Sequence, residues 1–189
     1  MACQSRRRSI RPGLCRCKQQ KPPRLHARGR VGDSATDTAA QEAWLKKYFQ
    51  RDGDYYFIIE TARGTAVGAY GIYDVTGASA ESGRWIIRPE VPAAIPSAML
   101  AFDIAFDRLK LKELRVTTVS SNQPVLSLNR KFGFRQTAVE PGAQIIGGKP
   151  VDLVRFLMTA EEWAKPRERL TPLARLAEKQ IRDWEQTKP

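Results

Sequence analysis

The strongest constraint on the fold lies between Leu114 and Val139. An apolar, β-branched run, Leu114–Val119, is followed almost at once by a short helical stretch, Gln123–Phe132, and then by a second extended run, Phe134–Val139. Valine and threonine suit a pleated, half-buried surface, and the helix between the two runs is too short to stand alone in water. The unit is stable only inside a sheet with a helix packed on it. Its polar Asn122 then falls at the carboxyl edge of the sheet, where ligands bind in such folds.

Upstream, the order of signals completes the architecture. Thr36, Asp37 and Thr38 are N-cap candidates, and Thr38 with Gln41 has capping-box spacing. Ala40, Ala43, Trp44, Tyr48 and Phe49 then share one helical face, and the helix ends near Asp52-Gly53. Tyr55–Thr61 and Ala66–Val75 read as a hairpin around Arg63-Gly64, and Glu81–Arg88 as a third strand after a loop over Thr76–Ala80. Ile95–Leu109 is an amphipathic helix, and Val151–Met158 is the last strand. Thr159 caps a final helical region that Pro166 and Pro172 are expected to break, leaving residues 173–186 as a separate, weakly amphipathic helix. Strands in a run, followed by strand–helix alternation, specify an α/β (α+β) fold: a central, mostly antiparallel mixed sheet with helices on both faces.

Charge is distributed unevenly. Residues 1–32 carry ten Lys and Arg and no Asp or Glu, so a formal net charge of +12 leaves +2 for residues 33–189. The domain proper therefore gives no reason to expect nucleic acid as a partner. The basic stretch, interrupted by Pro12, Pro22 and Pro23, lacks helix or strand periodicity. A transit peptide, a nucleic-acid-binding arm and a stretch outside the selected reading frame remain open for it, and a disordered tail is the expectation. The organisation expected is thus a tail over 1–33, a domain over 34–165 and a helical extension over 166–189.

Cys3, Cys15, Cys17 and the only histidine, His26, all fall in the tail. A C-x-C with one histidine is short of the roughly four ligands that zinc takes, so no metal is expected. A folded part without cysteine fits a reducing cytosol. No apolar run approaches the length of a membrane span.

The segment S-S-N-Q-P-V-L-S-L-N-R-K-F-G-F, residues 120–134, resembles the cofactor-binding motif of the GNAT acetyltransferases through Asn122, Leu128, Asn129, Lys131, Gly133 and Phe134. Residues 105–116 are similar to that family's helix-to-strand passage, and T-A-E-E-W, residues 159–163, to the end of its last strand. The resemblance covers about residues 37–165 and is nearest in flavour to the branch acetylating ribosomal-protein N-termini, amino sugars and small amines. It implies acetyl-CoA as acyl donor, a primary amine (amino sugar, protein N-terminus or small amine) as acceptor, and N-acetyl transfer as the activity. It implies no membrane partner and leaves a homodimer open. A non-catalytic CoA-binding domain is the alternative.

The resemblance also assigns roles. Asn122 is expected either to cap its helix or to help bind the pantetheine arm, with Lys131 near the cofactor. Asn129 stands where many relatives carry a tyrosine acid. An amide cannot supply that proton, so water or another group must. Trp85, Ile86 and Ile87 are expected to offer backbone groups to the pantetheine. The phosphate loop aligns with Arg88-Pro-Glu-Val-Pro-Ala-Ala-Ile-Pro-Ser97, which has no glycine. Pro92 and Pro96 each remove a donor, leaving Ala93, Ala94, Ile95 and Ser97 with Arg88 as anion-site candidates. Glu81 is the candidate general base, with an exposed strand-end carboxylate as the plainer reading. The fold normally opens with an apolar strand, which residues 1–32 lack, so the first strand is expected to be missing or irregular.

Overall fold

The computed structural model describes residues 53–187 together with positions 16–18, 39, 42, 43, 46 and 50. Seven strands are described: β1 (Arg16–Lys18), β2 (Tyr55–Glu60), β3 (Ala66–Thr76), β4 (Ser79–Ile87), β5 (Glu113–Val119), β6 (Arg135–Ile146) and β7 (Lys149–Thr159). They form one sheet in the order β1-β2-β3-β4-β5-β7-β6. All neighbours are antiparallel except β4 and β5, which run parallel.

That parallel pair decides the shape of the molecule. β4 and β5 are in register only at Ser79–Glu81 against Glu113–Arg115. Beyond Glu81 the strands part, so the sheet opens as two leaves, β1–β4 and β5-β7-β6, joined at one end of the split. The first strand is present but only three residues long, paired with β2 through Arg16↔Glu60, Cys17↔Ile59 and Lys18↔Ile58.

Three helices pack on one face of the sheet: α1 (Ala94–Asp103), α2 (Gln123–Phe132) and α3 (Ala160–Gln186). Phe102 of α1 is the hub of this core. It meets Phe132, Phe134 and Trp163 edge-on, with ring centroids 5.5, 5.4 and 5.1 Å away, a favoured aromatic arrangement. Of the expected first helix, Ala39, Glu42, Ala43 and Lys46 are helical and exposed. The caps Thr36–Thr38 and the face residues Ala40, Trp44, Tyr48 and Phe49 lie outside the described residues, as do Cys3, Cys15 and His26.

The structure corrects several sequence boundaries. The β3–β4 connection is a two-residue turn at Gly77-Ala78 rather than a loop over 76–80, so β4 starts at Ser79. The helix expected over Ile95–Leu109 is α up to Asp103 and then one π turn, Ile104–Arg108. β6 runs on to Ile146 and hairpins into β7 through Gly147 and Gly148, both at positive φ. Pro166 and Pro172 do not break the last helix: α3 is continuous over 27 residues. Its buried side chains Trp163, Leu170, Ala174, Ala177 and Ile181 recur at three- and four-residue or seven-residue spacing, and tertiary packing of such a stripe outweighs the lost hydrogen bonds.

Candidate active site

β4 lines the split. Between Ser82 and Ile87 its far edge meets no strand among the described residues, so the backbone of Trp85, Ile86 and Ile87 borders the split. Within this stretch the β3–β4 register shifts between Ala69 and Gly71, and Arg84 sits at φ +51°. This is a β-bulge, a device that re-aims strand groups beside active sites. Gly83 precedes it, and a Cβ there would come 3.0 Å from the Tyr73 hydroxyl. The absent side chain leaves room for the Tyr73 ring to lie over β4. The Arg84 guanidinium covers that ring at 3.9 Å from its centroid, a cation–π contact. Burial, aided by the nearby charge of Glu81 and opposed by Arg84, pushes the Tyr73 phenol up to about 12, so it is a proton donor throughout the neutral range.

The two leaves carry the helix N-termini that flank the split. At the start of α1 the N–H of Ala93 is used by Val91 O and that of Ser97 by Ala93 O. Pro96 has none. The amides of Ala94 and Ile95 remain without a backbone acceptor and form the anion-facing end of the helix. The Ser97 hydroxyl is buried and committed: it donates to Ala94 O at 3.1 Å and accepts from Trp85 Nε1 at 3.2 Å. Trp85 itself is packed between Tyr70 and Phe132, under the split. Ile86 is partly exposed on the opposite face, Ile87 packs on the core, and the N–H of Arg88 is held by Val67 O at 2.8 Å.

On the other leaf, Asn122 is the N-cap of α2, its Oδ1 accepting from Val125 N at 3.4 Å. Asn129 is buried, and its Nδ2 donates to Thr118 Oγ1 at 3.3 Å. Lys131 is exposed near the end of the same helix. Asn129 is thus directed into the core side of β5, away from Glu81.

Glu81 lies where the leaves join, on the face opposite α1, α2 and α3. Its side chain is 14% exposed, its Oε1 accepts from Thr117 Oγ1 at 2.7 Å, and its Oε2 lies 3.7 Å from Arg115 Nε. It is therefore a held carboxylate, and the exposed strand-end reading does not describe it. Thr117, Arg115 and Arg155, which surround it directly or at one remove, were not singled out in the sequence. The signal was there: β5 alternates Glu113, Arg115 and Thr117 with Leu114, Val116 and Thr118, a period of two that sets a polar face against a buried one. A separate hollow of about 260 Å³ is bounded by α1 and α3, with Pro96, Met99 and Ala174 among its walls, and contains no residue of β4, β5 or α2.

A parallel pair that splays beside a bulged strand, with helix N-termini at both sides, is the arrangement expected of an acyl-carrier cleft. The acetyltransferase (GNAT) domain family matches residues 20–135. This chain belongs to the GNAT acetyltransferase family. The match starts well inside the basic stretch and ends one residue past the 120–134 motif. Membership makes the chain an N-acetyltransferase by class, with acyl transfer as its chemistry. Among solved structures, a GCN5-related N-acetyltransferase from Brucella melitensis is 21% identical with a TM-score of 0.64, over 74% of this chain and 66% of its own length. A spermidine N-acetyltransferase variant from Vibrio cholerae is 20% identical with a TM-score of 0.63, over 69% of this chain and 79% of its own. The dodecameric form of the Vibrio cholerae enzyme aligns with a TM-score of 0.60 at 20% identity, over 69% of this chain and 78% of its own. At these identities the likeness is one of fold. No curated protein sequence matches at a significant level. Among the described residues no helix is long and apolar enough to cross a membrane, and no group of three or more potential metal ligands is present.

Proposed function

We propose that this GNAT domain transfers an acetyl group from acetyl-CoA to a primary amine: an amino sugar, a protein N-terminus or a small amine. The observation that carries the reading is the split beyond Glu81, where β4 parts from β5; the Ala94 and Ile95 amides at the start of α1 and the held Glu81 carboxylate support it. These features fit the donor. The Ala94 and Ile95 amides would face its phosphates, and the edge of β4 over Trp85–Ile87 would hydrogen-bond its pantetheine amides. Bound there, acetyl-CoA supplies an activated thioester.

The chain's own residues do the rest. Glu81 accepts a proton from the ammonium form of the acceptor, directly or through water, so that the neutral amine is the nucleophile. Backbone N–H groups of Trp85, Ile86 and Ile87 on β4 would stabilise a developing oxyanion. Trp85 and the buried Ser97 close the floor beneath the cleft and keep water out. Asn129, bonded to Thr118, plays no proton-transfer part in this scheme, and water or the protonated Tyr73 serves the leaving group. The site lies in a cytosolic protein on this reading, and self-association, as in the dodecameric Vibrio cholerae neighbour, is tested by sedimentation.

Isothermal titration with acetyl-CoA is the first test. Saturable binding is expected, and none at millimolar concentration would sink the reading. Turnover is then measured against glucosamine, spermidine and a peptide with a free N-terminus. Glu81→Gln should slow the active amine by about 100-fold or more, the ordinary worth of a general base, with acetyl-CoA affinity unchanged. One observation favours a second reading: the stretch Arg88–Ser97 has no glycine, and its Ala93 N–H is already taken by Val91 O. A non-catalytic domain would bind CoA and acetylate none of the panel.

A further inference from the structure

Glu81 is the inner end of a longer polar chain that crosses four strands. Thr117 Oγ1 donates to Glu81 Oε1 at 2.7 Å and accepts from Arg155 Nη1 at 3.1 Å. Arg155 is itself gripped by both oxygens of Glu140, Nε to Oε1 at 2.7 Å and Nη2 to Oε2 at 2.8 Å. The order β4-β5-β7-β6 is the spatial order of the strands, so each link joins sheet neighbours. All of it lies on the face without α1, α2 and α3, where the amine must approach.

The direction of each hydrogen bond follows from the groups. A guanidinium only donates, so Thr117 must accept from Arg155. An ionised carboxylate only accepts, so the Thr117 hydroxyl proton must point at Glu81. The bidentate grip of Glu140 fixes the Arg155 plane and hence which nitrogen meets Thr117. That grip holds the Glu140 carboxyl below the usual carboxylate range. The other charged neighbour of Glu81, Arg115, is 42% exposed and 3.7 Å away, beyond good hydrogen-bond length. It neutralises without fixing geometry. Tyr73 is the cross-strand partner of Glu81 on β3, and the Glu81 charge helps to raise its phenol.

We propose that Thr117 and Arg155 are positioning residues for the transfer reaction: together they hold one Glu81 oxygen toward the sheet and leave the other, beside the more distant Arg115 at 3.7 Å, to meet the amine. The inference rests on Glu81 acting as the base. Neither residue touches substrate, and their effect passes through Glu81 alone. Sliding a catalytic group by about 1 Å costs on the order of 100-fold in rate, which is the scale of effect a lost tether can reach.

The test is a double-mutant cycle with acetyl-CoA and whichever amine of the glucosamine, spermidine and peptide panel turns over fastest. Thr117→Val should lower kcat by about 10- to 100-fold, with KM for both substrates and the unfolding midpoint near wild type. Thr117→Ser, which keeps the hydroxyl, should restore kcat. Arg155→Met should fall in the same direction. In the Glu81→Gln background, Thr117→Val should cost nothing further, because residues acting through one group are non-additive. A Thr117→Val loss of equal size in both backgrounds would make the tether merely structural and overturn the proposal. So would unchanged kcat in Thr117→Val while Glu81→Gln is slow, which leaves the base reading intact. Unchanged kcat in Glu81→Gln, or no turnover of any amine, overturns both together.

Discussion

Replacing Gly133 by alanine tests how the acyl-carrier motif is locked to the rest of the molecule. Gly133 ends α2 in the left-handed region at φ +96°, its N–H bonded to Arg130 O at 3.0 Å. It also lies against α3: a Cβ there would come 2.5 Å from Pro166 Cγ and 3.3 Å from Pro166 Cβ. Carbon pairs prefer about 3.5–4.0 Å. Two costs therefore add. The left-handed conformation costs a residue with a Cβ about 1–2 kcal/mol, and overpacking costs about 1–3 kcal/mol. The sum is about 2–5 kcal/mol, read as an increase in unfolding equilibrium by denaturant titration. For a chain of 189 residues a loss of that size lowers Tm by about 4–20 °C, taking about 2–4 °C per kcal/mol. The two costs separate in a Pro166→Ala background, where Cγ and Cδ are gone. There Gly133→Ala should cost only the conformational part, about 1–2 kcal/mol. Equal costs in the two backgrounds would refute the steric account, and a cost below 1 kcal/mol in the native background would refute both.

Ala94→Glu should weaken acetyl-CoA binding by about tenfold or more, since hydrogen bonds to charged groups are worth about 1.5–3 kcal/mol and the added carboxylate competes for the same amides. Stability should hold or rise, because an acidic residue suits a helix N-terminus. Unchanged affinity by titration calorimetry would remove the α1 terminus from the phosphate site. At the start of α3, Thr159 and Glu162 form a capping box, with Thr159 N to Glu162 Oε2 at 2.7 Å and Glu162 N to Thr159 Oγ1 at 3.2 Å. Thr159→Ala should cost about 1 kcal/mol by thermal unfolding. The backbone bond, with help from Arg135, lowers the Glu162 carboxyl from its ordinary value. Its stabilisation is thus present above the unfolded carboxylate range and is lost as pH falls through the folded value. Glu162→Gln should therefore destabilise at pH 7 and much less at pH 3; an equal effect at both would exclude the charge.

The elements that read well from sequence are those with one buried face. β5 and α2 bury alternate or helically spaced residues, whereas β2 reads as a strand because its aromatic and β-branched run is buried on both faces. β6 reads short in the sequence because nearly all of it is exposed. Its extension past Val139 is held by pairing with β7, which no period in its own residues reveals. Pro166 and Pro172 read as breaks in α3 because proline is costly in an isolated helix, whereas here Pro166 is packed on Gly133. In the site, the strand edge, the α1 start and Glu81 were legible as positions. Their commitments were not. The burial of Ser97 under Trp85, the direction of Asn129 toward Thr118, and the reach of Arg155 to Thr117 are tertiary facts between strands and helices distant in the chain.

The continuity of α3 has a mechanical consequence. The helix starts at Thr159, the end of β7 on one leaf of the sheet, and near its other end the buried Glu185 accepts a hydrogen bond from buried Thr61, just past β2 on the other leaf. It is a rigid beam pinned to both sides of a hinge whose strands touch at only three positions. Such a beam sets the gape of the cleft rather than any contact within it. Loosening the far pin, as in Thr61→Val, should let the two leaves breathe, and the change should appear in the rate at which the acyl carrier leaves more than in the chemistry at Glu81.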